Sequence, residues 1–122
     1  MILGLGLDLV AVARIAQVLE RFGDAFLLRC FAPGELARPT DPEHVAGVFA
    51  AKEAAFKALG TGWGQGVGFS QVVVQRSSEG QPYLQFLGSA HDRFAALGGK
   101  HAHLSITHTR EWAAAVVVLS RD

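Results

Sequence analysis

Cysteine is almost missing from this chain, and the single one, Cys30, cannot close an internal disulfide. A lone thiol favours a reducing compartment. With no histidine near it in sequence, Cys30 reads as a buried structural thiol and not as a nucleophile. An excess of one charge is missing too: 11 Lys and Arg balance 11 Asp and Glu. Net neutrality gives no support for general nucleic-acid binding, although a local patch could still steer an acidic protein partner. No run of about 18 apolar residues exists to span a membrane. The opening MILGLGLDLV is apolar but carries no basic segment, and Asp8 interrupts it early. It reads as a strand and not as a signal peptide, so the expected location is cytoplasmic.

What is present is globular. In 122 residues, 50% are hydrophobic, enough for one domain over 1–122 with a real core and too few for two. Leu3, Leu5, Leu7 and Leu9 alternate with Gly4, Gly6 and Asp8, the period of a strand with its leucines on one face. The opposite face is nearly bare and ends in a carboxylate. Paired glycines mark a close approach, either by a ligand or by another backbone.

Ile15, Val18, Leu19 and Phe22 then follow helical spacing from Ala13 to Phe22, leaving Arg14, Gln17 and Arg21 on the exposed side. A proline-bearing loop covers about Ala32 to Pro42. Asp41-Pro42 opens a long helix, with Asp as cap and Pro at its first position, and Gly60 closes it after Leu59. Glycines at 60, 62, 64, 66 and 68 make a loop. Val67 to Gln75 and Gln81 to Leu87 read as paired strands, and Ser89 as the cap of a short helix reaching Leu97. His101 to Thr107 and Trp112 to Leu119 form a closing hairpin. The expected fold class is α+β, an antiparallel sheet packed against a long central helix.

The long helix carries the chemistry. Its apolar stripe runs through Val45, Val48, Phe49, Phe56 and Leu59, with Lys52 inside it, Glu53 at its edge and Lys57 just beyond. A lysine on an apolar face must snorkel to water or meet an anion. Glu53 and Lys57 also suit a plain surface ion pair, worth about 0.2–0.5 kcal/mol. The Gly-Thr-Gly that follows could turn backbone N–H groups toward an anion. It is not a P-loop, because these glycines follow a helix whose C-terminal dipole repels anions. Positive charge must therefore come from Lys57, Lys52 or a metal, and Asp8 and Glu53 are the candidates to hold that metal. Magnesium takes one or two carboxylates and completes its shell with water and phosphate oxygen. His101-x-His103 lacks the further ligands of a zinc site. His108 stands beside a turn and suits a phosphate contact or plain solvation equally.

GLGLDLV, FAAKEAAFKALGTG and LSITHT, in that order and spacing, resemble the holo-acyl-carrier-protein synthases over essentially the whole chain. The middle motif is specific, joining K-E-x-x-x-K to A-L-G-T-G without a gap. The resemblance implies a 4'-phosphopantetheinyl transferase fold and activity: transfer of 4'-phosphopantetheine from coenzyme A to a serine of apo acyl carrier protein, releasing 3',5'-adenosine bisphosphate. It implies that Asp8 and Glu53 bind Mg²⁺ and act with Lys57 in catalysis. Lys52, Lys57, Gly60, Thr61, Gly62 and His108 would line the coenzyme A site. Arg14 and Arg21 would meet the acidic helix of the carrier protein. A homotrimer with active sites between subunits is also implied.

Two features depart from the family pattern. Val48 stands where related proteins often have arginine, so any contact made by that arginine is lost here. The first helix mixes Glu20 and Asp24 among its arginines, which leaves Arg29 or apolar contacts a share in docking. Two competing readings are a non-catalytic nucleotide-binding or carrier-binding module and a purely structural oligomer. The module would not need both Asp8 and Glu53. The apolar runs Val72-Val73-Val74 and Ala113 to Leu119 that suggest the oligomer read more simply as buried sheet. Dependence on added Mg²⁺ would separate the enzyme from both.

Overall fold

The bare glycine face of the first strand is where the fold closes. In the computed structural model, which describes residues 1–61 and 68–122, β1 (Ile2–Ala11) lies directly on the long helix α3 (Pro42–Leu59). A Cβ added at Gly6 would stand 1.8 Å from the Ala54 carbonyl oxygen, and one at Gly4 would stand 2.0 Å from that of Ala58. Only hydrogen fits there. The helix is correspondingly slim, with Ala50, Ala51, Ala54, Ala55 and Ala58 all buried. Of the two readings open for the glycines, the close approach is thus by backbone.

Both ends of α3 follow local chemistry. The Asp41 side chain accepts from the Glu43 N–H at 3.1 Å, Pro42 sits in the first turn, and Gly60 ends the helix at φ 73°, a left-handed conformation natural to glycine. Between β1 and α3 run α1 (Val12–Phe22) and α2 (Asp24–Cys30), separated by Gly23. The second of these is an element the sequence pattern does not announce. After α3 come β2 (Val72–Arg76), β3 (Pro82–Phe86), α4 (Gly88–Ala96), β4 (His101–His108) and β5 (Trp112–Ser120).

Among the described residues, five antiparallel strands divide into a three-stranded sheet, ordered β1-β5-β4, and a separate β2-β3 ribbon. The α+β expectation therefore holds, with α3 against the larger sheet. A ladder of aromatic rings extends the core beside α3: Phe49 stacks on Phe69 at 5.5 Å, Phe56 meets Phe69 edge-on at 5.0 Å, and Phe26 bridges Phe31 and Phe49.

Two local expectations need correction. Among the described residues the strand expected from Val67 begins only at Val72, because Phe69–Gln71 form a 3-10 turn that buries Phe69. Val67 itself lies outside the described residues. Ser89 does not cap α4, whose N-cap is Leu87 with no side-chain bond. Instead Gln71 supplies an oxygen from the neighbouring 3-10 turn, accepting the Ala90 N–H at 3.3 Å.

Candidate functional site

Where β1 crosses α3, its alternation carries Asp8 onto the same face as Gly4 and Gly6, toward the helix. Asp8 is well covered, its side chain 14% exposed. Lys57 reaches it from α3: its Nζ donates to Asp8 Oδ1 at 3.1 Å and to the Leu7 carbonyl at 2.9 Å. Glu53, one turn earlier on α3, is partly buried and belongs to the same group. Burial pushes its carboxyl above the usual range, the Asp8 charge pushes it further, and Lys57 and Arg14 pull against both. Asp8, Lys57 and Arg14 are thus all close enough to act on the Glu53 carboxyl.

Two carboxylates that repel each other, with a lysine bonded to one, form a donor set short of positive charge. Among the described residues no cluster of three or more His, Cys, Asp or Glu side chains could hold a metal. Among the described side chains, Asp8 and Glu53 are the carboxylates that a cation bound here would take. That set fits Mg²⁺, which readily accepts one or two carboxylates and fills its remaining positions with water and phosphate oxygens.

Lys52 departs from the expected phosphate contact. Its ammonium is fully buried, 2.8 and 3.0 Å from the two oxygens of Glu35 and 2.6 Å from the Val72 carbonyl. Three ammonium hydrogens meet three acceptors, so none is left for a ligand. Burial lowers the Lys52 pKa while Glu35 acts in the opposite direction. Glu35 also accepts from the Val74 and Ala32 N–H groups, at 2.7 and 3.0 Å. The anion demanded by a lysine on an apolar face is therefore internal.

At the C-terminal end of α3, Thr61 is 6% exposed and its hydroxyl has no partner among the described residues. Beside it, the Arg93 Nε of α4 donates to the Leu59 carbonyl at 2.9 Å. This cation at the end of α3 is not visible in the sequence pattern, since 34 residues separate the partners. Gly62 lies outside the described residues.

His108 does not join the Asp8 group. It stands at the end of β4 against the first turn of α3, its Nδ1 2.6 Å from Glu43 Oε1. Ten residues of helix, a rise of about 15 Å, separate Glu43 from Glu53. Arg14 and Arg21 are both exposed on α1, Arg21 lying over the Phe22 ring at 5.3 Å. Phe22 and Leu28 are exposed nearby in sequence, at 54% and 82%. Val48 is buried at 3% within the core. Cys30 is buried, with its thiol pKa raised by burial, as expected of a structural cysteine.

The family model for the 4'-phosphopantetheinyl transferase superfamily matches residues 4–117. A holo-[acyl-carrier-protein] synthase of Solidesulfovibrio magneticus is 50% identical over 121 residues, covering 98% of both chains. Another, from Koribacter versatilis, is 46% identical over 123 residues with the same coverage. Among solved structures, Helicobacter pylori holo-[acyl-carrier-protein] synthase in complex with coenzyme A superposes with a TM-score of 0.85 at 32% identity, over 95% of this chain and 99% of that one. The Neisseria meningitidis synthase gives 0.86 at 34% identity, over 98% and 99%.

Proposed function

This chain belongs to the holo-acyl-carrier-protein synthases of the 4'-phosphopantetheinyl transferase superfamily, and from that membership we infer its reaction. It transfers 4'-phosphopantetheine from coenzyme A to a serine of an apo acyl carrier protein, releasing 3',5'-adenosine bisphosphate. The serine hydroxyl attacks the phosphorus that carries pantetheine, the P–O bond of the pyrophosphate breaks, and the bisphosphate leaves with the bond's electron pair. Such a displacement needs an aligned nucleophile and compensated charge more than covalent help.

The observation that carries the residue assignment is the Asp8–Glu53–Lys57 group. Asp8 and Glu53 would hold Mg²⁺, which supplies charge neutralisation at the pyrophosphate oxygens. Lys57, already within reach of Asp8, would offer its exposed ammonium to the same phosphates. Glu53, or a water held by Asp8, takes the serine proton. Gly60, Thr61 and Gly62 would line the coenzyme path, and His108 would meet the adenosine bisphosphate end. Arg14 lies close enough to influence Glu53, so a carrier protein docked on Arg14 and Arg21 would arrive beside the carboxylate pair.

A homotrimer with sites between subunits is part of this reading. Leu5, Leu7 and Leu9 are 64%, 64% and 63% exposed, and the ladder pairs them with Val118, Val116 and Ala114 on the sheet face turned away from α3. An apolar sheet face of this kind favours a protein partner. No helix among the described residues is long and apolar enough to cross a membrane. A cytoplasmic location accords with the buried free thiol of Cys30.

The test is mass spectrometry of apo acyl carrier protein incubated with the enzyme, coenzyme A and Mg²⁺. Gain of one phosphopantetheine, lost on chelation and in Asp8→Ala and Glu53→Ala, is the expected result. Full activity in either variant would remove the metal assignment, and no transfer to any carrier protein would remove the reaction.

A further inference from the structure

The contact between Glu43 and His108 has a direction built into it. A carboxylate only accepts, so at 2.6 Å the shared hydrogen belongs to Nδ1 of the imidazole. Nε2 is then the ring nitrogen left to face a ligand, an acceptor for a ribose hydroxyl or the adenine amino group in the neutral ring and a donor to phosphate only in the imidazolium. The His108 side chain is 45% exposed, so a ligand can reach it.

Glu43 is itself held in place. Its N–H donates to Asp41 Oδ1 at 3.1 Å, and Asp41 Oδ2 accepts from Arg38 Nε at 3.3 Å. The helix is bare where the β4 strand comes down: a Cβ added at Gly47 would stand 3.3 Å from Ile106 Cγ2 and 4.0 Å from His108 Cδ2. Backbone, cap and strand thus converge on one ring orientation. A second side chain that fixes which imidazole nitrogen is protonated commonly sets how histidine meets its ligand.

We propose that Glu43 is a positioning residue for coenzyme A, holding the His108 ring by Nδ1–H so that Nε2 faces the nucleotide portion of the coenzyme. The inference rests on the reading of His108 as a coenzyme contact. It adds the residue that orients the ring. A purely structural role is the competing account, since an acid in the first turn of a helix is favourable on electrostatic grounds alone.

Four variants separate these accounts: His108→Ala, Glu43→Ala, Glu43→Gln and the double alanine variant, each assayed for kcat and for KM toward coenzyme A. Glu43→Ala should raise that KM about tenfold with kcat largely kept, the size expected for a lost charge-assisted hydrogen bond. Glu43→Gln should recover most of it, because its amide oxygen accepts the same Nδ1–H. The double variant should be no worse than His108→Ala. In the ¹⁵N spectrum of the His108 ring, the proton should sit on Nδ1 in the wild type and in Glu43→Gln, and distribute over both nitrogens in Glu43→Ala. An unchanged KM in Glu43→Ala beside an impaired His108→Ala would overturn this inference alone. So would a Glu43→Ala effect that persists in full without His108. An unimpaired His108→Ala would remove the coenzyme contact as well.

Discussion

Lys52 and Glu35 form an ion pair with no solvent exposure on either side chain, closed at 2.8 Å and anchored to the backbone of β2 through Val72 and Val74. It ties the middle of α3 to the loop that precedes it and to the β2-β3 ribbon. Breaking a buried pair from one side leaves an uncompensated charge, which typically costs about 3–5 kcal/mol. Glu35→Ala should therefore destabilise the protein by that order in urea denaturation. Lys52→Met combined with Glu35→Gln should cost less than Glu35→Ala alone, because no charge stays stranded. Equal losses in the two variants would mean that something other than a stranded charge destabilises Glu35→Ala.

Gly6 has no room for a single added carbon. Its Cβ would lie 1.8 Å from the Ala54 carbonyl oxygen, and helix backbone cannot swing aside as a side chain can. Gly6→Ala should push β1 off α3 and cost on the order of 4 kcal/mol, at the large end for point changes. Because Asp8 is carried on β1, the same variant should lose activity even under conditions where it stays folded. A Gly6→Ala protein with wild-type thermal stability would refute the close packing.

Legibility of the sequence followed the range of the interactions. The bounds of α3 could be read because Asp41, Pro42 and Gly60 act within a turn of where they sit. Asp8, Glu53 and Lys57 could be named from their motifs, and the fold brings them together. Lys52 shows a demand correctly read and wrongly assigned: a buried lysine needs an anion, and Glu35 from 17 residues away provides it. Arg93 and the Gln71 cap of α4 were invisible for the same reason. The seven residues of α2 escaped because so short a helix has little periodicity, and Gly23 separates it from α1.

Lys57 donates to one oxygen of Asp8 and so competes with a metal ion for that carboxylate's charge. Lys57→Gln removes that competitor and also removes a charge from the phosphates. The two effects should separate. Transfer should fall by about 10²–10³, as when one electrostatic donor is lost from a reacting centre. The Mg²⁺ concentration for half-maximal binding, read by calorimetry, should fall a few-fold, since a partly exposed pair is worth up to about 1 kcal/mol. Weaker metal binding in this variant would mean that Lys57 supports the metal and does not compete with it.

Glu53 links activity to stability with opposite signs. Its folded-state pKa is raised, first by burial and then by Asp8, above the usual glutamate value of about 4.3. An acid whose pKa rises on folding binds its proton more tightly in the folded state. Its neutral form is therefore favourable to folding below the unfolded value. That contribution is lost as pH rises through the folded value, so at neutral pH the ionised Glu53 is a liability to stability. Glu53→Gln keeps the shape without the charge. It should abolish transfer while melting higher than the wild type at neutral pH, and the gap should narrow as the pH falls toward about 4. Melting curves of both proteins without metal across that range provide the check. A variant that melts lower than the wild type at neutral pH would show that Lys57 and Arg14 more than compensate the burial of this carboxylate.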